Sequence, residues 1–143
     1  MHLIGVKKLR EDAMLPEYAN YGDAGADIFA SEEVVIKPNS RALIKTGIAL
    51  EIPDLTEVQI RSRSGLALKN GIHVLNSPGT IDCGYRGEIG VILYNSSNEE
   101  FTVTKNMKIA QIVVKPVLQA NFLEVETLSR TDRGIGGFGS TGV

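Results

Sequence analysis

Short Val- and Ile-rich runs separated by turn residues recur along nearly the whole chain, and they constrain the fold more than any other feature. The runs are Leu3–Lys8, Ala26–Phe29, Val34–Ile36, Ala42–Lys45, Val58–Arg61, Ile89–Tyr94, Phe101–Val103 and Ile109–Val114. Between them stand Pro38-Asn39, Pro53-Asp54, Ser77-Pro78-Gly79 and Ser96-Ser97-Asn98. These residues favour turns because Pro fixes φ, Gly admits left-handed backbone, and Asn, Asp and Ser bond their own backbone. β-Branched runs at such spacing predict an all-β sandwich, barrel or jelly roll. With 143 residues, no internal repeat and no linker, the chain predicts one β domain over residues 1–132 with a core of ordinary size.

One short helix is predicted over Gly65–Asn70. Ser64 is its natural N-cap, Leu66, Ala67, Leu68 and Lys69 favour the helix, and Gly71 ends it. A helix start beside Arg63 and Ser64 presents unpaired N–H groups to an anion. Taken alone, the stretch reads better as a capped turn between two strands.

Charge and cysteine usage narrow the classes further. A net charge of −2 without any run of like charges argues against an electrostatic nucleic-acid partner. No apolar run reaches membrane-spanning length. Met1 to Lys8 lacks a signal-peptide layout, and Cys83 is the one cysteine. Both point to a reducing, cytoplasmic setting, or a nuclear or host-cytoplasmic one for a eukaryotic or viral source. With His2 and His73 as the two histidines, a zinc site of usual composition is not expected.

The last eleven residues, Arg133 to Val143, carry chemistry of their own. Gly134 to Gly139 matches G-x-G-x-x-G, but that fingerprint must follow a strand and open a helix. Only four residues remain after Gly139, so the expectation is a flexible tail. It offers one cation, one aromatic ring, two hydroxyls and unhindered N–H groups, a set suited to a nucleotide. The lysine of a Walker loop is absent, which excludes ordinary P-loop NTPase chemistry.

Gly79 to Glu88 reads as a tight β-hairpin with glycines around a carboxylate and a tyrosine. Asp82, between Ile81 and Cys83, is expected in a semi-apolar setting that suits a general base. Its bland alternative is an Asx-turn. Cys83 lacks a neighbouring histidine and is expected to be a small buried or half-buried residue rather than a nucleophile. Ser64 lacks the G-x-S-x-G elbow of a hydrolase nucleophile. Arg61-Ser62-Arg63-Ser64 suits a phosphate patch or equally a solvated strand end.

Taken in order, five segments resemble the trimeric dUTP diphosphatase (dUTPase) family. They are Asp23-Ala24-Gly25-Ala26-Asp27, Arg63-Ser64-Gly65-Leu66-Ala67, Asn76 through Glu88, Ile109-Ala110-Gln111, and Arg133 through Gly142. The resemblance implies a jelly-roll or distorted β-barrel homotrimer that hydrolyses dUTP to dUMP and pyrophosphate, limiting uracil in DNA and supplying dUMP for dTMP synthesis. It implies Asp82 as the base that orients water against the α-phosphorus, and Tyr85 beneath the deoxyribose. Asn76 with Gly79, Thr80 and Ile81 would read the uracil edge, and Gly90 would also touch substrate. Arg63, Ser64, Gly65 and Gln111 would hold the phosphates. The arm of residues 133–143 would close over a neighbour's site, Phe138 stacking on uracil while Arg133, Gly139, Ser140 and Thr141 grip the phosphates. Mg²⁺ would ride on the triphosphate, with Asp27 reaching it through water.

The chain departs from the family pattern in two places. Asn106-Met107-Lys108 replaces the usual Gly-Asp-Arg, and Lys108 loses the two-pronged geometry of Arg, so a looser link to Asp27 is expected. Asn106 suits a left-handed turn position. Ser62 stands where proline is frequent and is expected to soften that strand end. Two rivals are weighed against the resemblance. A dCTP deaminase would carry a catalytic Glu where this chain has Ile92, and a nucleotide-gated binding module would not need the full residue set.

Overall fold

The computed structural model describes residues 3–142; Met1, His2 and Val143, the ends of the first run and of the arm, lie outside them. In chain order the elements are β1 (Gly5–Lys8), β2 (Ala26–Phe29), β3 (Val34–Ile36), β4 (Ser40–Lys45), β5 (Ile48–Glu51), β6 (Thr56–Arg61), α1 (Ser64–Asn70), β7 (Ile72–Val74), β8 (Gly79–Ile81), β9 (Gly90–Asn95), β10 (Phe101–Val103) and β11 (Lys108–Pro116). Every ladder is antiparallel. The sheets run β2-β11-β6-β8, β4-β9-β7, β1-β5 and β10-β3. Among the described residues they form a jelly-roll-like wrap rather than one closed barrel.

Alternation explains most of the core. In β9, Val91, Leu93 and Asn95 turn inward while Ile92 and Tyr94 face outward. Ile28, Ile36, Ile44, Ile48, Ile72, Val58 and Ile109 are each buried below 2% exposure. Each such side chain contributes roughly 1.5–3 kcal/mol of transfer free energy. Asn95 is the most deeply buried of the polar residues in the interior, and all its capacity is used. Its Nδ2 donates to the carbonyls of Ile36 (3.0 Å) and Glu99 (2.7 Å), and its Oδ1 accepts from Ser97 N (3.0 Å) and Oγ (2.7 Å).

The expected runs match strands, with shifted ends: β1 starts at Gly5, because Leu3 stands 87% exposed outside the sheet. Two further strands, β5 and β7, were not expected, and β8 was expected only as one arm of a hairpin. In β5, Ile48, Ala49 and Leu50 are all buried, so covering on both faces erases the alternation that marks a strand. β7 and β8 are only three residues long and exist through their partners, β9 and β6.

The hairpin expected over Gly79–Glu88 does not form. β8 joins β6 in one sheet while β9 joins β4 and β7 in another, so the segment between them crosses from sheet to sheet. The helix is one residue longer than expected, and Ser64 is its first residue rather than its cap. Arg63 is the N-cap, with extended backbone and no side-chain cap hydrogen bond. Gly71 ends the helix at φ 67°, its N–H turned back on Ala67 and Leu66.

Of the departures from the family pattern, Asn106 behaves as expected and Ser62 does not. Asn106 does adopt left-handed backbone, at φ 65°. Ser62, by contrast, does not soften its strand end. Its hydroxyl accepts the Val74 N–H at 2.9 Å and its carbonyl accepts the Gln111 side-chain N–H at 2.9 Å, which ties β6 to β7 and β11. No helix of the described residues is long and apolar enough to cross a membrane.

Candidate active site

Two clefts carry the residues singled out by the sequence. The first, of about 210 Å³, lies where β8 leaves one sheet and β9 enters the other. Asn76, Gly79, Thr80, Ile81, Asp82, Tyr85 and Gly90 all line it. A β-carbon on Gly79 would sit tightly against Ile60 Cβ at 3.3 Å and in ordinary contact with the Asn76 amide at 3.5 Å.

Asp82 borders a cleft lined in part by Ile60, Val74, Ile81, Ile89 and Ile92, a semi-apolar setting as expected, but the residue itself is exposed. Strand alternation turns Ile81 and Cys83 inward, buried and half-buried, and leaves Asp82 exposed at the cleft. The turn that follows is closed by backbone, Tyr85 N donating to the Asp82 carbonyl at 3.1 Å, not by an Asx side chain. Asp82 lines the cleft, and its carboxylate makes no hydrogen bond that closes the turn. Tyr85 is half-exposed, and its hydroxyl donates to the Glu88 carbonyl at 3.0 Å.

The second cleft, of about 520 Å³, is lined by Asp27, Arg63, Ser64, Gly65 and Gln111, joined by Asp23, Ala24, Gly25 and Lys69. Pairing of β11 with both β2 and β6 puts Gln111 beside Asp27 and Arg61 in register. Asp27 is held between two cations, Arg63 Nε at 3.0 Å on one oxygen and Lys108 Nζ at 2.8 Å on the other. Arg63 also donates to the Lys108 carbonyl at 3.3 Å. The expected looser link is therefore corrected: an ammonium reaches one carboxylate oxygen as a point charge, and Arg63 occupies the other. Largely buried Asp27 acts as an anchor that aims Arg63 across the cleft.

Gln111 has its own constraint. With its amide N–H on the Ser62 carbonyl, its Cδ lies where a β-carbon on Gly25 would be only 2.9 Å away, and its oxygen lies closer still. Arg61 is not part of this cleft, since its guanidinium donates to Gln59 Oε1 at 2.7 and 3.2 Å. Of the basic stretch 61–64, only Arg63 and Ser64 face a ligand-sized space.

The two clefts share no lining residue. The first is smaller than the roughly 300–1,000 Å³ of a typical ligand pocket, so it holds part of a ligand at most. Arg133, Phe138, Gly139, Ser140 and Thr141 line neither cleft of their own chain. The described arm makes successive turns and no helix, as expected, and Phe138 stands fully exposed. Sequence reasoning missed Glu88, Ile89 and Ile92 in the first cleft, and Gly25 and Lys69 in the second. Gly25 sits inside a recognised segment, but only the β2–β11 pairing reveals its packing on Gln111.

Comparison with known proteins agrees with this arrangement. The dUTPase family model matches residues 11–142. A deoxyuridine 5'-triphosphate nucleotidohydrolase of Alkaliphilus metalliredigens is 62% identical over 143 residues, 100% of this chain and 99% of that protein. The dUTPase of Staphylococcus bacteriophage 80alpha, solved with dUpNHpp, is 31% identical with a TM-score of 0.93, covering 100% of both chains. A variant dUTPase of phage phi11 of S. aureus, described as coordinating a structural Mg(II) ion, is 28% identical with a TM-score of 0.84, over 90% of this chain and 100% of that one. Sequence, fold and the residues gathered at both clefts converge: the chain belongs to the dUTPase family.

Proposed function

We propose that this dUTPase hydrolyses dUTP to dUMP and pyrophosphate in the cytoplasm, with Asp82 taking a proton from the attacking water. The carboxylate of Asp82, exposed beside Asn76 and Tyr85, is the observation that carries this reading. Water adds to the α-phosphorus as the bond to the β-phosphate oxygen breaks, and pyrophosphate departs with the electron pair. Such an in-line displacement depends mainly on positioning and charge stabilisation.

Asn76 and the backbone of Gly79, Thr80 and Ile81 read the uracil edge, Gly90 borders the same space, and Tyr85 lies beneath the deoxyribose. Cytosine reverses donor and acceptor on its pairing edge and would strand buried polar groups, a mismatch able to support discrimination of about 10⁴. Thymine is refused by overlap of its methyl group. Arg63, Ser64, Gly65 and Gln111 hold the phosphates.

Because nucleoside-facing and phosphate-facing residues line separate clefts, one site takes them from different chains of a homotrimer. The arm of residues 133–143 completes it from the third chain, Phe138 on the base and Arg133, Gly139, Ser140 and Thr141 on the phosphates. Closure excludes water from the reacting centre.

The donor set fits Mg²⁺ carried by the triphosphate. Both Asp27 oxygens hold cations, and no group of three His, Cys, Asp or Glu among the described residues forms a protein cage. Asp27 would face the ion through water; the bound ion would offset phosphate charge. Deamination is disfavoured, since Ile92 occupies the cleft where a deaminase carries Glu, and Glu88 is engaged by the Gly47 N–H at 3.0 Å. A pyrophosphate-release assay over dUTP, UTP, dTTP and dCTP tests the reading. Strong preference for dUTP is expected; similar rates on all four would leave a generic pyrophosphatase.

A further inference from the structure

Gly87 lies two residues past Tyr85 and outside every cleft-lining set described above. Its significance comes from what it lacks. A β-carbon built on Gly87 meets three atoms first, and all belong to the Tyr85 ring: the hydroxyl oxygen, Cζ at 2.6 Å and Cε2 at 3.0 Å. No such contact is compatible with the ring staying where it is. The backbone of Gly87 is not left-handed, so alanine is excluded by the ring alone and not by φ.

The ring is held against Gly87 by a chain of anchors. Tyr85 Oη donates to the Glu88 carbonyl at 3.0 Å. Glu88 Oε1 accepts the Gly47 N–H at 3.0 Å, and the Ile89 N–H donates to the Ile48 carbonyl at 2.8 Å. The Thr46 hydroxyl donates to the Ile89 carbonyl at 2.6 Å. Glu88 and Ile89 are thereby fixed to the β4–β5 turn, and the Tyr85 hydroxyl is fixed to them. At the other end, the Tyr85 N–H donates to the Asp82 carbonyl at 3.1 Å, which links the ring to the segment bearing the proposed base.

We propose that Gly87 is a positioning residue for sugar selection: its missing side chain creates the space in which the Tyr85 ring folds back onto the Glu88 carbonyl, at the height that admits a deoxyribose and refuses a 2′-hydroxyl. This rests on the reading of Tyr85 as the group beneath the sugar. Filling the space swings the ring away from Glu88, so the wall against ribose moves while the base-reading backbone at Gly79–Ile81 stays on its β6 ladder.

The test compares wild type, Gly87→Ala, Tyr85→Ala and the double variant by kcat/KM on dUTP and on UTP. The dUTP-to-UTP ratio is expected to fall at least about tenfold in Gly87→Ala. In the Tyr85→Ala background, adding Gly87→Ala is expected to change the ratio by less than about twofold, because the clashing ring is gone. An unchanged ratio in Gly87→Ala beside a lowered one in Tyr85→Ala overturns the inference and leaves the sugar contact standing. An equal drop in both backgrounds also overturns it, since Gly87 then acts without Tyr85. A Tyr85→Ala ratio equal to wild type removes the underlying reading and the inference with it. Should Gly87→Ala not fold, rescue of folding by the added Tyr85→Ala supports the contact, and failure of both overturns it.

Discussion

The two clefts of this chain are built from different materials. In the first, the proposed selectivity rests on shape: the β8 main chain would meet the base, and Gly87 leaves room for the Tyr85 ring, which a β-carbon there would strike. In the second, the working parts are charged side chains aimed by other charged side chains, Asp27 between Arg63 and Lys108. The contrast teaches how each fails. A cleft of shape is spoiled by adding one carbon, whereas a cleft of charge is spoiled by removing a partner. Selectivity and turnover are therefore separable by mutation.

The largest expected effect comes from the one group that serves chemistry rather than shape or grip. Asp82→Asn should lower turnover by at least about 10² while nucleotide affinity stays within about tenfold. Pyrophosphate release and equilibrium binding of a non-hydrolysable dUTP analogue measure the two; undiminished release would remove Asp82 from its role. Removing residues 133–143 should leave a folded oligomer that turns over dUTP roughly 10- to 100-fold more slowly, because neither cleft is then covered. Full-rate hydrolysis by the truncated chain would reject the arm as a lid.

Gly25→Ala sharpens the comparison from the phosphate side. Its β-carbon displaces the Gln111 amide, and kcat/KM on dUTP should fall about tenfold with the dUTP-to-UTP ratio unchanged. A shifted sugar ratio would show that the clefts are not independent. Lys108→Met should cost only a few-fold in kcat/KM, since Arg63 retains Asp27 on the other oxygen. A loss as large as that of Arg63→Ala would show that Lys108 binds substrate directly.

The smallest effect lies outside both clefts. Asp12 is held by hydrogen bonds from Arg10 and then from Lys105, which keep its carboxyl well below the usual carboxylate range. A depressed acid contributes stability above its unfolded value, and loses it as pH falls toward the folded one. The Tm advantage of wild type over Asp12→Asn should thus shrink below about pH 4, with activity at neutral pH unchanged. The group is exposed, so the advantage is small at any pH. A constant Tm difference down through acid pH would contradict the assignment.

The strands with one covered face were legible because alternation writes them into the sequence, as in β9. β5 was not, because both its faces are covered, and β7 and the sheet that β8 joins were not, because both depend on pairing with the distant β9 and β6. Site residues followed the same division. Asp82 and Tyr85 announced themselves through local glycines and through resemblance. The anchoring of Arg63 by Asp27 and Lys108 joins positions 27, 63 and 108, and only the β2-β11-β6 order brings them together. Ser62 was misjudged for the same reason: its partners, Val74 and Gln111, are 12 and 49 residues away.

The central claim is that the two clefts complete one site only across chains, and subunit mixing tests it most directly. Asp82→Asn and Arg63→Ala are each expected to be nearly inactive alone. In an equimolar refolded mixture, roughly three of four trimers are mixed and each mixed trimer holds one intact site in three, so about a quarter of wild-type activity should return. A mixture that exchanges subunits yet stays as inactive as its parents would place both residues in the same chain's site and contradict the account.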